Sequence, residues 1–321
     1  VALIAPASPP PDPDSVDRAI ATLEALGLKP VPGRHVRSRH GFLAGSDRDR
    51  AGDFMKAFLD RRIRAVFCLR GGYGCARILP RIDFAAIRDN PKILVGHSDI
   101  TSLHCAIQRH CGLVTFHGPM LNSEIGHPGT PAYTHRRLFD LLTCAEPGGN
   151  IGVTSLHSTF DESPPSPACV RRPPVPETVH RGQARGRLAG GNLSVLCSLT
   201  GTPWMPDLVG RIVFLEEIGE APYRIDRMLT QLLQAGCLDA AAGMAIGTHH
   251  NCLDPLAGRS GEYRQTSEEV FRERLKPLKV PIVMGLPFGH VPHNATLPHG
   301  ILAELDAASA PSLSLIEPAV T

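Results

Sequence analysis

The sequence predicts an α/β protein whose first half is a parallel sheet covered by helices on both faces and whose second half is a separate domain. Two observations carry this. Strand-like and helix-like patterns alternate strictly from residue 1 to about residue 118. A Pro-, Ser- and Gly-rich stretch, EPGGNIGVTSLHSTFDESPPSPACVRRPPVPETVH, then breaks the alternation. A chain of 321 residues is longer than most single cores, which also favours two domains. The expected division is an N-terminal domain over 1–150, a Pro-rich linker over 151–182 and a C-terminal domain over 183–321.

The opening VALIA reads as a strand entering a Pro-rich turn; it lacks the basic flank of a signal peptide. SVDRAIATLEALGLKP places Val16, Ala19, Ile20, Leu23 and Leu26 on one helical face, and Gly27 stops it. DRAGDFMKAFLDRRI is a second helix, and RAVFCLR a buried strand running into Gly71-Gly72-Tyr73-Gly74. CARILPRIDFAAIRDN reads as helix in two pieces, KILVGH as strand, DITSLHCAIQRHC as helix and LVTFHGP as strand.

Beyond the linker, RGQARGRLAGGNLSVLCSLTGTP reads as strand, glycine turn and helix, and GRIVFLEEI as strand. APYRIDRMLTQLLQAG is a helix with Ile225, Met228, Leu229, Leu232 and Leu233 on one face and Gly236 as its stop. GMAIGTHH and VPIVMGLPFGH are strands with the helix TSEEVFRERLK between them, and GILAELDAASAPSLSLIEP closes the chain as a hairpin. The length of the linker makes it a candidate lid.

Composition narrows the function. Thirty-three Lys plus Arg against 31 Asp plus Glu give a net charge of +2, and aromatics are only 5%. A basic, base-stacking surface is therefore not expected, nor a nucleic-acid partner. No apolar run approaches the roughly 18 to 20 residues of a membrane span. Nine scattered cysteines without a C-x-x-C pair suit idle thiols in a reducing cytoplasm better than a disulfide framework.

Three polar residues follow directly on apolar strands: Ser98 in ILVGHSD, Glu216 in IVFLEEIGE and His290 in IVMGLPFGH. Strand carboxyl ends are where α/β sheets build sites. A hydroxyl nucleophile needs an imidazole to take its proton and a carboxylate to hold the imidazole's tautomer. Residue types alone are weak support, since 15 histidines make some such trio almost inevitable. The G-x-S-x-G elbow is also incomplete, with Ile100 at its second glycine. On local pattern, Ser98 suits a helix N-cap with Asp99 in the first turn at least as well. Glu216 reads equally as an acid solvated or paired with Arg224 or Arg227, and His290 as a loop histidine.

His290 and His293 form an H-x-x-H, with His249, His250 and Cys252 as further potential ligands. A Pro-containing loop fixes no geometry for it, and no closed metal set follows. Gly72-Tyr73-Gly74 continues as Cys75-Ala76-Arg77, so G-x-G-x-x-G is not completed, and G-x-x-x-x-G-K-[ST] is absent. No cofactor is expected. The glycine turn can still present N–H groups to an oxyanion.

Taken in order, RGGYGCARILPRID, GHSDITSLH, FHGPM, GRLAGGNLSVLCSLTGTP, IVFLEEIGEAPYRIDRMLTQL and GLPFGHVPHNATLPHG resemble the L,D-carboxypeptidases of the LdcA and microcin-immunity type, a class of serine peptidases. The resemblance covers nearly the whole chain except the linker. It implies a Rossmann- or flavodoxin-like N-terminal sheet, a smaller β-rich α+β C-terminal domain, and a cytoplasmic homodimer without a cofactor. It also implies a Ser98–Glu216–His290 triad, with the backbone N–H groups of Gly72 and Asp99 as oxyanion hole. His97 stands where many members have an aromatic residue. Glu217 follows Glu216, and because strand neighbours face opposite ways only one of the two can meet the histidine; Glu216 is the choice. Arg70 is a candidate, by position, for the substrate's free carboxylate.

The implied reaction removes the terminal D-alanine from muropeptide tetrapeptides during peptidoglycan recycling. One alternative is an immunity-type amidase acting on a peptidyl-adenylate antibiotic, which needs a nucleobase platform; Trp204 is the only tryptophan. Another is a non-catalytic binder of cell-wall peptides, which would have no need of the triad.

Overall fold

The computed structural model describes residues 1–151, 175–254 and 265–321. The central part of the Pro-rich linker, with the expected lid, therefore lies outside the described residues.

Apolar runs of three or four residues form the first sheet: β1 (Ala2–Ile4), β3 (Ala65–Cys68), β4 (Ile93–Gly96) and β5 (Thr115–His117), with the short edge strand β2 (Val31–Pro32). The order β2-β1-β3-β4-β5 is parallel throughout, which is the flavodoxin-like arrangement. All four residues of β3 are buried, as expected of a strand covered on both faces. The helices α1 (Ser15–Ala25), α2 (Asp47–Leu59), α3 (Cys75–Ile78), α4 (Phe84–Asp89) and α5 (Thr101–Cys111) match the predicted alternation. Local chemistry sets their ends: the Ser46 hydroxyl accepts from the Asp49 N–H at the start of α2, and Gly112 adopts φ 66° to close α5.

Among the described residues the second sheet has eight strands, in the order β6-β14-β13-β8-β9-β10-β11-β7. They are β6 (Pro147–Asn150), β7 (Glu177–His180), β8 (Gln183–Asn192), β9 (Ile212–Ile218), β10 (Gly243–His250), β11 (Ile282–Met284), β13 (Leu302–Asp306) and β14 (Ser312–Pro318). The inner four, β8 to β11, are parallel and the others antiparallel. With them go α7 (Leu193–Ser198), α8 (Pro222–Gln234) and α9 (Ser267–Leu275).

The chain crosses between the sheets. Strand β12 (Leu297–His299) returns to the first sheet and pairs antiparallel with β5. Helix α6 (Ala132–Thr143), which the sequence reading passes over, buries Tyr133, Thr134, Leu138 and Leu141. One apolar cluster runs from Val66 and Leu94 through Leu103 and Ile107 to Leu193, Leu196 and Val213, so the two sheets share a core.

The glycine turn expected at Gly190-Gly191 does not form; both residues lie within β8. Their small size serves close packing instead. A Cβ on Gly190 would overlap the Phe214 carbonyl, and one on Gly191 would stand 2.5 Å from Thr101 Oγ1.

Candidate active site

Ser98 sits where β4 ends, in a one-turn 3-10 helix over Ser98–Ile100 that leads into α5. The cap position of that turn is His97 and that of α5 is Ile100, so Ser98 is the N-cap of neither. Its φ is 62°, in the left-handed region that a non-glycine residue enters at about 1 to 2 kcal/mol. The turn that lifts Ser98 out of the strand is held from both ends. Gly96 abuts Ile100, whose Cγ1 would lie 2.9 Å from an added Cβ. The buried Asp99 carboxylate accepts from the Cys75 N–H at 2.7 Å. Burial pushes the Asp99 carboxyl above its ordinary pKa, and the bond from Cys75 works against that.

That bond ties the Ser98 turn to the glycine-rich turn after β3. Gly71 packs directly on Ser98: an added Cβ would stand 2.8 Å from Ser98 Cβ and 3.0 Å from Oγ. Gly72 has φ 108°, and the next residue, Tyr73, donates its N–H to Ser8 Oγ at 3.1 Å. Neither the Gly72 nor the Asp99 N–H donates a backbone hydrogen bond among the described residues. Arg70 is half-buried beside them, with Nη1 3.4 Å from the Pro9 carbonyl oxygen.

The other two candidates meet directly. Glu216, fully buried in β9, takes a hydrogen bond from His290 Nδ1 on its Oε2 at 2.7 Å. Burial works against the charge of each, yet each sustains the other's. Glu216 lies below its ordinary carboxyl pKa because of His290, and His290 lies above its own because of Glu216. With the carboxylate ionised, the proton of a neutral imidazole is on Nδ1 and the lone pair on Nε2 is free. His290 follows Gly289, whose φ of 109° turns the loop after β11 back toward β9. The loop is held by Asn294, which accepts from the Gly289 N–H and donates its own N–H to Thr134 Oγ1 of α6.

Glu217 faces the other way. Its Oε1 accepts from Asn192 Nδ2 and the Ile218 N–H, and its Oε2 from the Ser194 N–H and hydroxyl. It secures the start of α7 and is fully committed there, although burial pushes its pKa up. Asn192 in turn pairs with Glu216 across β8 and β9, and its N–H donates to Thr101 Oγ1 in the helix that follows Ser98. The nucleophile candidate and the acid candidate are thus joined through one short path across the two sheets.

No hydrogen bond links Ser98 Oγ to His290 among the described residues; the approach is through the neighbouring His97. Its ring lies edge-on to that of His290, with centroids 4.6 Å apart and planes at 73°. His97 Nε2 is 2.9 Å from Glu124 Oε1, a pair that spacing alone gives no means of finding.

The potential metal ligands do not converge. His249 stacks on Phe271 at 4.2 Å and lies 3.7 Å from Glu268, and Cys252 turns back on the His250 carbonyl. Among the described residues no three His, Cys, Asp or Glu side chains are grouped to hold a metal ion. Trp204 is half-buried against the apolar core. No helix among the described residues is long and apolar enough to cross a membrane.

Comparison with known proteins adds to this geometry. The LD-carboxypeptidase N-terminal domain matches residues 1–118 and the LD-carboxypeptidase C-terminal domain matches residues 185–305. The chain is 40% identical over 312 residues to a probable murein peptide carboxypeptidase of Bacillus subtilis, covering 96% of this chain and 89% of that one. Among solved structures, a muramoyltetrapeptide carboxypeptidase from Oxalobacter formigenes superposes with a TM-score of 0.78 at 31% identity, covering 98% of this chain and 96% of that one. An MccF-like protein from Bacillus anthracis gives 0.83 at 27% identity over the same shares.

Proposed function

The chain belongs to the LD-carboxypeptidase family, and from that premise we propose that it is a serine peptidase that removes the terminal D-alanine of murein tetrapeptides through Ser98, His290 and Glu216. The observation that carries the proposal is the 2.7 Å bond between His290 Nδ1 and the buried Glu216, formed beside a serine held at φ 62°.

In this reading Ser98 Oγ attacks the carbonyl carbon of the terminal L,D-amide as His290 Nε2 takes its proton. Glu216 holds the imidazole's orientation and stabilises the imidazolium. The Asp99 and Gly72 N–H groups, neither of which has a backbone acceptor among the described residues, receive the developing oxyanion. His290 then returns the proton to the amine of the leaving D-alanine, and a water, deprotonated by the same imidazole, hydrolyses the ester on Ser98. Arg70 takes the role of partner to the free carboxylate that defines an exopeptidase substrate. The location in the cytoplasm and the homodimer implied by the resemblance belong to the same reading.

The similarity to an MccF-like structure keeps an amidase acting on a peptidyl-adenylate in view. Trp204 offers that reading little, because it is half-buried and packed against the apolar core.

The deciding experiment compares the parent protein with Ser98→Ala on murein tetrapeptide, with released D-alanine read by mass spectrometry and thermal melts for both. Turnover falling by orders of magnitude at an unchanged melting temperature is expected. A parent protein that releases no D-alanine but cleaves a peptidyl-adenylate would move the assignment to the amidase.

A further inference from the structure

Behind the His290–Glu216 pair stands a second imidazole–carboxylate pair that the reaction just described does not use. His97 is 1% exposed and Glu124 8% exposed. His97 Nε2 and Glu124 Oε1 are 2.9 Å apart, and the other carboxylate oxygen accepts from the Met120 N–H at 2.8 Å and the Ser123 hydroxyl at 2.5 Å. A short π-helical turn over Leu121–Ile125, three residues beyond the end of β5, brings Glu124 to this position. His97 is chain neighbour to Ser98, and its ring meets His290 edge-on at 4.6 Å.

We propose that Glu124 and His97 are positioning residues of the site: together they seat the His290 imidazole and supply it with a second negative charge, from the first sheet, to complement Glu216 in the second. The inference rests on His290 acting as the base. Its physical logic is that of a buried cation formed during turnover. When His290 takes the serine proton it becomes an imidazolium in a place where burial opposes charge, and one carboxylate already shares that load. A second ionised carboxylate beyond the His97 ring lowers the cost of the same step, and the ring itself adds a wall against which the imidazole packs.

Among the described residues, the charged and titratable groups that face His290 are few. Glu216 bonds it, Glu217 lies behind Glu216 in β9, and His97 and Glu124 approach from the first sheet. His117 at the end of β5 is held neutral by burial and by the surrounding histidines. Glu124 itself is disfavoured by burial but held ionised by His97 and its hydrogen-bond donors. Of the groups from the first sheet, Glu124 is thus the one that brings negative charge.

The test titrates the imidazole directly. Histidine-labelled parent protein, Glu124→Gln and the double variant His97→Phe/Glu124→Met are followed by NMR, with the His290 signal assigned by its loss in His290→Gln. Glu124→Gln keeps an acceptor for His97 and removes the charge. The double variant keeps an aromatic ring against His290 and leaves no buried charge behind, so it covers the case in which the single variant fails to fold. The expected result is a His290 midpoint lower by roughly one pH unit in either variant. The acidic limb of kcat/KM should move the same way, kcat should fall about tenfold or more, and KM should change little. A folded variant whose His290 midpoint stays within about 0.2 units of the parent overturns the proposal, as does a fall in kcat with no movement of the limb. The NMR midpoint needs no turnover, so a parent protein inactive on tetrapeptide would count against the proposed function and leave this inference to be decided on its own.

Discussion

Gly289 has no room for a side chain, because a Cβ there would stand 2.8 Å from Glu216 Cβ and 2.9 Å from the carboxylate oxygen that His290 binds. Its φ of 109° also excludes most other residues. Gly289→Ala is therefore expected to move His290 off Glu216 and lower kcat/KM by about a hundredfold, the scale of a 1 Å misplacement. Steady-state D-alanine release measures it, and parent-like kinetics in the variant would break the link between this glycine and the pair.

Gly71 makes the corresponding demand on the serine. An added Cβ at 3.0 Å from Ser98 Oγ must push the hydroxyl or its turn aside. Gly71→Ala should lower kcat by about a hundredfold while KM moves far less. Equal changes in both constants, or none, would argue that the Ser98 turn yields without consequence.

The two adjacent carboxylates should separate cleanly. Glu216→Gln cannot hold the imidazolium and should lower kcat by about three to four orders of magnitude. Glu217→Gln keeps the catalytic pair and loses part of the bonding at the start of α7, so stability should fall by about 1 to 3 kcal/mol with kcat near the parent value. Turnover and urea denaturation on the same samples distinguish them, and a Glu217→Gln protein that is folded but inactive would reverse the assignment.

The buried histidines make an acid-sensitive fold. Burial lowers His104 to about 4 and holds His117 and His299 well below 6.5. Both ring nitrogens of His117 and His299 lack a hydrogen-bond partner among the described residues. In the window below pH 6.5 and down to about 4, the unfolded chain binds protons that the folded chain refuses, so stability falls as pH falls. Each histidine contributes up to about 1.4 kcal/mol per pH unit there. His290 runs oppositely, since its raised value favours the fold under acid. Urea denaturation at pH 7 and pH 5 should show a loss of several kcal/mol in the parent, reduced in His299→Phe; equal stability at both pH values would contradict the neutral cluster.

Activity has its own acidic limb. His290 accepts a proton only when neutral, and its pKa lies above the ordinary 6.5. kcat/KM should therefore decline as pH drops through a value above 6.5, and in Glu216→Gln that value should fall, as the residual rate of that variant can report.

Much of this was legible in the sequence where local pattern and local structure coincide. Four of the strands in the flavodoxin-like order and their helices follow from apolar runs and from stops such as Gly27; strand alternation says that only one of Glu216 and Glu217 can meet the histidine, and the family resemblance is what points to Glu216. What was hidden depends on partners far away in the chain. Gly190 and Gly191 look like a turn until Phe214 and Thr101 are seen against them. Strand β12 is three residues, Leu297-Pro298-His299, that pair only because β5 offers an edge. Glu124 carries no signal of its own: a single acid after the FHGPM stretch acquires meaning only when the π-helical turn brings it to His97. His97 did offer a hint, as the residue in place of an expected aromatic.

The return of β12 to the first sheet makes the two halves of this chain poor candidates for separate life. Cut at the linker, the N-terminal half would present β5 as an open, hydrogen-bond-hungry border suited to sticking to other copies. It would also carry β6, a strand whose mate β14 had been taken away. The C-terminal half would hold β12 with nothing to lie against. The segment bearing His290, anchored at β11 in one sheet and β12 in the other, would lose one of its two moorings. Splitting the polypeptide thus costs more than bringing serine and histidine back together: each piece carries a strip of the other's sheet, and the two have to be made and folded in each other's company.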